Sequence, residues 1–278
     1  MLPPFSYFGG KVRIAQQIVK LLPRHEHYVE VCGGSLAVLL AKHPSRMETA
    51  NDIDGDLVHF WRMLRERPEE LIRACALTPH ARAEHADSYH RDDCDDIERA
   101  RRTWVCVSQG RSGVLRRTGW RHYMDPNGSK TPMPAFLATY IDRMTALVDR
   151  LANVSLENRP ALDLIRQYGT YRDVLLYVDP PYLGSTRYRR SDYRHDMRSD
   201  DDHRALADAL HATRSAVVLS GYPSPLYAAL YADWHRVEIQ TTSSLGADRR
   251  RTEVLWSNRP IGQQPALWDT HDLTEVTA

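Results

Sequence analysis

Four residues that could do chemistry stand together directly after an apolar run, in the stretch LLYVDPPYLG: Asp179, Pro180, Pro181 and Tyr182. The run at 175–178, bounded by residues that break regular structure, indicates a strand buried on both faces of a parallel sheet. The two prolines fix their own φ and restrict the residues before them, so the turn is stiff and extended. Ligands of open parallel sheets bind beyond the carboxyl ends of the strands, which predicts a functional role for the carboxylate and the ring. A strand that simply ends in Asp-Pro beside a packed tyrosine is the structural alternative.

A second candidate site is the glycine-rich turn of Gly33 and Gly34, which follows the stretch HYVEVC. A turn between a strand and a helix is where backbone amides meet a nucleotide-like cofactor. The turn lacks the full G-x-G-x-x-G pattern, and alone it is weak evidence because such turns are often purely structural. Asp52 ends the next predicted strand about twenty residues later, where an acidic side chain accepts hydrogen bonds from ribose hydroxyls. Together the turn and the acid predict an adenosine-containing ligand.

Alternating helix and strand patterns surround both sites. Helical periodicity is found in RIAQQIVKLL, LAVLLAKH and GDLVHFWRMLRERPEELIRACAL, and strand patterns in HYVEVC and METANDID. From about residue 80 to 150 this order is broken by charged, turn-rich sequence such as RDDCDDIERARR and by the helix-like AFLATYIDRMTALVDRLA. Strand patterns resume in NVSLE, LLYV, AVVLSGY, HRVEIQ and EVLWSN, with the helix DDHRALADALHAT among them. The order predicts an α/β fold with a mixed, mostly parallel sheet and a mainly helical insertion.

Composition narrows the classes of function. The 278 residues include 37 basic and 36 acidic side chains, which argues against a protein that coats polyanions in general, and any nucleic-acid affinity must come from a local patch. The stretch MLPPFSYFGGK lacks the pattern of a targeting segment, and no apolar run reaches membrane-spanning length, which predicts a cytoplasmic protein without a membrane partner. The four cysteines show no disulfide-like spacing, which is typical of reduced thiols.

Metal-binding residue types also occur close together in the insertion. His80, His85, His90 and Cys94 are near one another in sequence, but their spacing fits no common zinc pattern. We therefore expect a polar, helical surface there and no metal site, with zinc as the alternative.

A local basic patch occupies residues 101–130. Its cations are Arg101, Arg102, Arg111, Arg116, Arg117, Arg121 and Lys130, against the single acid Asp125. Gln109, Ser112 and Trp120 add groups able to bond to base edges or to stack, while arginines suit phosphates and guanines. The patch predicts contact with nucleic acid, and a solvated charged surface is the alternative.

Six segments together resemble the Dam-type DNA N6-adenine methyltransferases, the alpha group of the D12 class, which use S-adenosylmethionine. The segments are YFGGK at 7–11, YVEVCGGSLAVLL at 28–40, NDIDGDL at 51–57, DPPY at 179–182, VVLSGYPSPLY at 217–227 and RTEVLWSN at 251–258. DPPY is the most specific, because related methyltransferases that act on other amines tend to carry Asn first. The resemblance implies a Rossmann-like methyltransferase domain at 1–56 and 150–265, a DNA-recognition insertion at 57–149 and a tail at 266–278.

The same resemblance implies roles for single residues. Those implied to bind S-adenosylmethionine are Tyr7, Lys11, Glu30, Gly33, Gly34, Asp52 and Asp179. Glu30 would lie near the methionine amino group, and Asp52 would bind the ribose. The chain departs from the family pattern at Cys32 and Leu36, where an aromatic residue and a glycine are usual, and at Pro160, where an acid often reaches the cofactor adenine.

In this family the DPPY motif acts on the exocyclic amine of adenine. The lone pair of that amine is delocalised into the ring, which makes the amine a poor nucleophile. The resemblance implies that the Asp179 carboxylate and the Pro180 carbonyl accept hydrogen bonds from its two N–H groups and so free the lone pair. Pro181 would stiffen the motif, and Tyr182 would stack on an adenine extruded from the duplex. No metal is required.

Within the insertion, the stretch RSGVLR is similar to the family's recognition hairpin, with Arg116 at the place of an arginine that contacts a base or lies on the intercalating side. The implied DNA contacts are Gln109, Arg111, Ser112, Arg116, Arg117 and Lys130. The predicted function is sequence-specific methylation of adenine in double-stranded DNA. RNA adenine methylation and an inactive DNA-binding regulator of the same fold are the alternatives. A homodimer and a cognate restriction endonuclease are left open as further partners.

Overall fold

The computed structural model describes residues 1–123, 131–183, 197, 199–242 and 250–262. Its helices are α1 (Ala15–Leu21), α2 (Ala37–Ala41), α3 (Gly55–Glu66), α4 (Pro68–Ala76), α5 (Arg82–Asp87), α6 (Asp96–Gln109), α7 (Met133–Leu151), α8 (Ala161–Tyr168), α9 (Asp200–His211) and α10 (Pro225–Leu230). Its strands are β1 (His27–Glu30), β2 (Met47–Asn51), β3 (Val154–Glu157), β4 (Val174–Val178), β5 (Ala216–Gly221), β6 (His235–Thr242) and β7 (Arg250–Ser257).

These strands form one sheet in the order β3-β2-β1-β4-β5-β7-β6. The first five are parallel, and β7 runs antiparallel to both β5 and β6. All five residues of β4 are buried, as expected for a central strand with helices on both faces. The chain order reverses between β1 and β4, and such a switch point is where open α/β sheets bind ligands. The predicted Rossmann-like, mostly parallel fold is confirmed.

Side chains of the sheet alternate between two buried clusters. Leu175 and Tyr177 of β4 belong to the first cluster, and Leu176 and Val178 belong to the second. Because strand side chains alternate with a period of two, the clusters lie on opposite faces of the sheet. The first cluster also contains apolar residues of α3, α4, α6 and α7, so these helices share the core of the sheet. The boundaries of the insertion stay a prediction.

The helical part differs from the sequence patterns at two places. The predicted single helix beginning at Gly55 is two helices, because Pro68 cannot continue α3 and instead lies in the first turn of α4. The stretch RDDCDDIERARR, interpreted as turn-rich, contains the start of α6, which is capped by the Asp95 carboxylate. Trp104 and Cys106 in the second half of α6 are buried, so tertiary packing stabilises a helix whose first turns are highly charged.

Three findings bear on the broader predictions. Among the described residues, no helix is both long and apolar enough to cross a bilayer. All four cysteines are free thiols. Within the described ranges, no three His, Cys, Asp or Glu side chains are grouped so as to hold a metal ion.

Candidate active site

A cavity of about 350 Å³ lies at the switch point, beyond the carboxyl ends of β1, β2 and β4. Its lining includes every residue predicted to bind the cofactor: Tyr7, Lys11, Glu30, Gly33, Gly34, Asp52 and Asp179. Pro181 of the DPPY motif lines it as well. These residues are distant in sequence and meet here because the carboxyl ends of neighbouring parallel strands share one edge of the sheet.

The glycine-rich turn lies directly against the N-terminal motif. Gly34 has a φ of +50°, and its amide donates a 2.8 Å hydrogen bond to a carboxylate oxygen of Asp52. A Cβ on Gly34 would lie 2.8 Å from a ring carbon of Tyr7. A Cβ on Gly33 would lie 2.9 Å from the Asn51 carbonyl oxygen. Side chains at these two positions would push the turn away from the ring and from β2, so the glycines preserve the shape of this wall of the cavity.

Leu36 takes a backbone conformation that suits the family's usual glycine. Its φ of 55° and ψ of 32° lie in the left-handed region, which costs a residue with a Cβ about 1–2 kcal/mol. The side chain is buried in the core, and burial of a leucine contributes about 1.5–3 kcal/mol. The buried side chain therefore offsets the backbone cost, and the turn closes without a third glycine.

Glu30 is a buried acid at the end of β1 and lines the cavity. One carboxylate oxygen accepts hydrogen bonds of 2.8 Å from the Tyr28 hydroxyl and from the Leu39 amide. Burial raises the pKa of Glu30 to about 8, although these two hydrogen bonds act in the opposite direction. An ammonium group beside it would restore the charged form, which fits the predicted contact with the methionine amino group.

Two asparagines that no sequence pattern assigned to the site shape another wall of the cavity. Asn51 donates to the Val31 and Arg159 carbonyl oxygens at 2.8 and 3.1 Å, and it accepts from the Arg159 amide at 2.9 Å. Asn158 donates to carbonyl oxygens of the loop after β2 at 2.8 and 3.1 Å. These bonds tie the segment before α8 to β1 and β2 and hold Pro160 in the cavity lining. The position of each asparagine at the end of a strand was an available signal, and Asn51 also lies in the segment NDIDGDL that resembles the family.

Asp179 follows β4 directly, and its carboxylate meets the ammonium group of Lys11. The Lys11 Nζ lies 2.6 Å from Oδ1 and 2.5 Å from Oδ2, and it donates to the Gly9 carbonyl oxygen at 3.0 Å. Lys11 also donates to the hydroxyl of Tyr182. Lys11, predicted to hold the cofactor, thus contacts both the predicted catalytic acid and the predicted stacking ring.

Burial and the neighbouring charges together set the protonation of this pair. Burial raises the pKa of Asp179 above its ordinary value, although the Lys11 charge lowers it, and the nearby Glu253 carboxylate raises it further. Burial also lowers the pKa of Lys11, but the charges of Asp179 and Glu253 outweigh this effect and leave that pKa raised. Lys11 therefore stays an ammonium, whereas Asp179 protonates at a higher pH than an exposed aspartate.

Three further residues, which no prediction assigned to the site, complete this cluster. Glu253 on β7 is buried and lies 3.7 Å from Lys11 Nζ. It accepts hydrogen bonds from the Tyr182 hydroxyl at 3.0 Å and from Ser220 Oγ at 2.6 Å. The ring of Tyr222, which follows β5, lies 4.4 Å from the Tyr182 ring. All three occur in the segments VVLSGYPSPLY and RTEVLWSN, whose resemblance to the family was the available signal.

One family model matches most of the chain. The family is described as D12 class N6 adenine-specific DNA methyltransferase, and the match spans residues 7–245. The chain belongs to this family. It is an adenine-specific DNA methyltransferase that uses S-adenosylmethionine, and the predicted family, activity and cofactor are confirmed.

Two individual proteins are also similar to this methyltransferase. The type II methyltransferase M1.LlaDCHI of Lactococcus lactis subsp. cremoris is 26% identical over 283 residues, which cover 92% of this chain and 95% of the relative. Among solved structures, a precorrin 8W decarboxylase of Methanobacterium thermoautotrophicum has a TM-score of 0.41 at 8% identity, covering 92% of this chain and 98% of that one.

In this methyltransferase, the loop 111–119 of the predicted recognition insertion lies on the N-terminal motif at 7–11. A backbone bridge between the residues that flank the loop closes it. The Gly113 carbonyl oxygen accepts a 2.9 Å hydrogen bond from the Phe8 amide. The segment predicted to contact DNA is therefore joined directly to a segment that lines the cofactor cavity.

The loop presents several of the residues predicted to contact DNA. Arg111, Ser112 and Arg117 are exposed, and Arg116 is half-buried. Ser112 has a φ of 76°, which places it with its glycine neighbour in a tight turn at the start of the loop. Lys130, the remaining basic residue of the prediction, lies outside the described residues.

Gln109, predicted to read a base edge, is fully buried. Its side-chain amide donates to the Pro79 carbonyl oxygen at 3.1 Å and accepts from the Trp120 indole at 3.4 Å. The Trp120 ring in turn stacks with His80 and His122, with ring centres 4.5 and 5.1 Å away. In contrast to the prediction, Gln109 and Trp120 support the base of the loop, because the amide and the ring already have partners within the protein.

Two arginines of the predicted basic patch are neutralised by acids. Arg101 forms ion pairs with Glu84 at 2.7 Å and with Glu98 at 2.6 Å. Arg102 pairs with Glu98 at 2.6 Å. These pairs stabilise α6 and its contact with α5, so the basic surface is smaller than the sequence suggests.

Proposed function

We propose that this methyltransferase acts on an adenine extruded from duplex DNA at a specific sequence, with Asp179 and Pro180 accepting the N–H groups of the target amine. The position of Asp179 carries the proposal. It follows the central strand β4, lines the cofactor cavity and is held by a buried lysine. A carboxylate in that place can contact the amine while the methyl donor lies in the same cavity.

The chemistry follows from the properties of the amine. Its lone pair is delocalised into the adenine ring, so hydrogen bonds from its N–H groups to Asp179 and to the Pro180 carbonyl draw the nitrogen toward a tetrahedral geometry. S-adenosylmethionine, held by Glu30 and Asp52, would supply the methyl group from its positively charged sulfur; the bond from sulfur to carbon would break as the nitrogen lone pair forms the new bond, leaving a neutral thioether, and the methylated nitrogen would release its surplus proton to water. The charge of Asp179 stabilises the positive charge that develops on the amine nitrogen, and the proline rings hold both acceptors in place.

For the cofactor, we propose that Glu30 holds the amino group and Asp52 the ribose hydroxyls, with Tyr7 and the glycine-rich turn forming the wall. All of these residues line the cavity, and the close approach of Tyr7 to the turn supports the assignment. Lys11 directs its ammonium group to Asp179, so its proposed role is to orient the Asp179 carboxylate.

For the substrate, we propose that Tyr182 stacks on the extruded base and that the loop 111–119 contacts DNA through Arg111, Ser112, Arg116 and Arg117. The exposure of three of these side chains supports the assignment. The recognition insertion at 57–149 and the catalytic domain at 1–56 and 150–265 belong to the same proposal.

Two broader proposals concern partners. The relative from Lactococcus lactis is named a type II methyltransferase, which supports a cognate restriction endonuclease for this chain as well. Protection of DNA against cleavage in cells that carry both proteins would test it. A homodimer and a cytoplasmic location stay predictions, and sedimentation on DNA would decide between monomer and dimer.

The central experiment compares Asp179→Ala with the wild type, using labelled S-adenosylmethionine with duplex DNA and with RNA of the same sequence. The wild type should label adenine in DNA, and the variant should lose about 10²-fold or more of the single-turnover rate. Its affinities for cofactor and DNA should change by less than about threefold, because a contact made mainly in the transition state is removed. Asp142→Ala, at an exposed site on α7, is the matched control. A variant rate within about tenfold of wild type would remove Asp179 from the mechanism.

A further inference from the structure

Glu253 is a buried carboxylate that has no role in the methyl transfer proposed for Asp179 and Pro180. Its side chain is 5% exposed and accepts hydrogen bonds from the hydroxyls of Tyr182 and Ser220. Burying a carboxylate is costly unless it is paired and hydrogen-bonded. An apolar residue would fill this place in the sheet at a lower cost, so the charge itself calls for an explanation.

The Lys11 ammonium lies between two carboxylates. The Nζ of Lys11 contacts both carboxylate oxygens of Asp179, and a carboxylate oxygen of Glu253 on β7 lies 3.7 Å from the same Nζ. The Tyr182 hydroxyl connects the groups, because it accepts from Lys11 and donates to Glu253 at 3.0 Å. One cation is therefore close to two anions. Lys11, Asp179 and Glu253 together carry a net charge of about −1 when both acids are ionised.

This arrangement creates a conflict at Asp179. The target amine needs an Asp179 oxygen as acceptor, but Lys11 bonds to both oxygens and cancels their charge. The positive charge that develops on the amine nitrogen is best stabilised by a carboxylate whose charge is not already neutralised. A second anion within reach of the lysine resolves the conflict.

We propose that Glu253 is a positioning residue that acts through Lys11: when the target amine arrives, the ammonium moves from Asp179 toward Glu253 and leaves the Asp179 charge to the amine. The Tyr182 hydroxyl, already bonded to both partners, guides this movement. The inference rests on the proposed role of Asp179 as acceptor of the amine.

Within the part of the chain that the structure describes, the groups around this pair leave Lys11 as the cation that Asp179 and Glu253 can share. The titratable groups that act on Asp179 or Lys11 from the neighbouring described elements include Glu30, Cys32, Tyr177, Tyr182, Tyr222 and Glu253. All of these are acids, and none can replace the ammonium. Removing the Glu253 charge should therefore leave Lys11 bound to Asp179.

The test is Glu253→Gln, which keeps the shape and an acceptor oxygen but removes the charge. With saturating cofactor and DNA, the single-turnover rate should fall by at least about tenfold. The dissociation constants for both ligands should stay within about threefold, because the change affects the chemical step. The acidic limb of the rate against pH should move to lower pH, since the Glu253 charge raises the pKa of Asp179. A role limited to packing and hydrogen bonding would not move this limb.

Two further variants sharpen the result. Glu253→Asp keeps the charge and should recover part of the rate, with the acidic limb near its wild-type position. Glu238→Gln, at a half-exposed site on the neighbouring strand β6, is the matched control and should behave as wild type. In Lys11→Met, adding Glu253→Gln should cost little more, because the glutamate acts through the lysine.

The inference is overturned if Glu253→Gln keeps the wild-type rate and pH profile, or if its effect adds in full to that of Lys11→Met. Should Glu253→Gln fail to fold, Tyr182→Phe keeps the ring and removes the connecting hydroxyl, and a wild-type rate for it overturns the inference equally. An active Asp179→Ala variant would instead refute the proposed role of Asp179. Loss of activity in Asp179→Ala with a normal Glu253→Gln refutes only the role of Glu253.

Discussion

At the scale of single residues, the cavity contains two buried acids with different partners. Asp179 has the Lys11 ammonium 2.5 Å away, whereas Glu30 has hydrogen bonds from a hydroxyl and an amide. Burial raises the pKa of both acids, but in Asp179 the lysine opposes this effect. Glu30 therefore holds a proton at neutral pH in the free protein and becomes an anion when a cationic group contacts it.

We therefore expect the affinity for S-adenosylmethionine to increase as pH rises to about 8. The free protein must release the Glu30 proton before the carboxylate can accept the ammonium, so Kd should fall by up to about tenfold per pH unit between about pH 6 and 8. Above about pH 8 the amino group of the ligand loses its own proton and the gain ends. Titration calorimetry measures Kd across this range. Glu30→Gln should bind more weakly with less dependence on pH, and a flat wild-type profile would contradict the contact.

At the scale of elements, the insertion and the N-terminal segment are tied together by hydrogen bonds to backbone carbonyl oxygens. The Trp104 indole of α6 donates to the Pro4 carbonyl oxygen at 2.9 Å, and Arg143 of α7 donates to that of Pro3 at 3.0 Å. The loop 111–119 adds the bond between Gly113 and the Phe8 amide. Because residues 7–11 line the cofactor cavity, a shift of this loop should change the affinity for the cofactor.

Gly113→Ala should weaken cofactor binding and lower Tm, although Gly113 lies in the predicted DNA-contacting loop. Its φ of +61° costs a residue with a Cβ about 1–2 kcal/mol. The new Cβ would also lie 2.3 Å from the Ser6 carbonyl oxygen, so the loop or the motif must move. Gly119→Ala on the same loop is the control, because its Cβ meets only the flexible Arg111 side chain, at 3.3 Å. Titration calorimetry measures the cofactor affinity of both variants. Equal affinities would show that the loop 111–119 does not influence the cofactor motif at 7–11.

At the scale of the whole molecule, the formal net charge of +1 provides little general attraction to DNA. Affinity must therefore come from a local group of exposed cations, and the ion pairs of Arg101 and Arg102 remove two candidates from the predicted patch. Arg111 and Arg117 remain exposed on the loop 111–119. Single substitutions of these two exposed arginines should therefore weaken DNA binding.

Arg111→Ala and Arg117→Ala should each weaken DNA binding without changing cofactor affinity. If the arginine contacts a phosphate, the slope of log K against log salt should fall by about one unit for every DNA sequence. If it contacts a base, discrimination at one position should fall by about 1–3 kcal/mol. Fluorescence anisotropy with cognate and single-mismatch duplexes over a salt series separates the two. Arg166→Ala, at an exposed site on α8, is the control, and variants indistinguishable from it would place the recognition surface elsewhere.

The sequence by itself determined the features that depend on residues close together in the chain. The apolar run before Asp179 has the period of a buried strand, and the glycine-rich turn and Asp52 follow strands whose carboxyl ends meet at one edge. Those patterns were sufficient for the strands and for the turn, Asp52 and Asp179 in the cavity lining, whereas Tyr7, Lys11 and Glu30 were predicted from the family resemblance. They failed for Gln109 and for the start of α6, because whether a polar side chain faces water or a partner depends on what packs against it.

Only the tertiary structure decided which charged and polar groups surround Asp179. Lys11 and Asp179 are 168 residues apart, and Tyr182 and Glu253 are 71 apart, so no local pattern relates them. They meet because β4 and β7 lie on either side of β5, and because the N-terminal motif crosses the carboxyl ends of the parallel strands. Strand order is fixed by the packing of the whole sheet. For that reason the partner of Lys11, the burial of Glu253 and the link between the loop 111–119 and the cofactor motif became visible only in three dimensions.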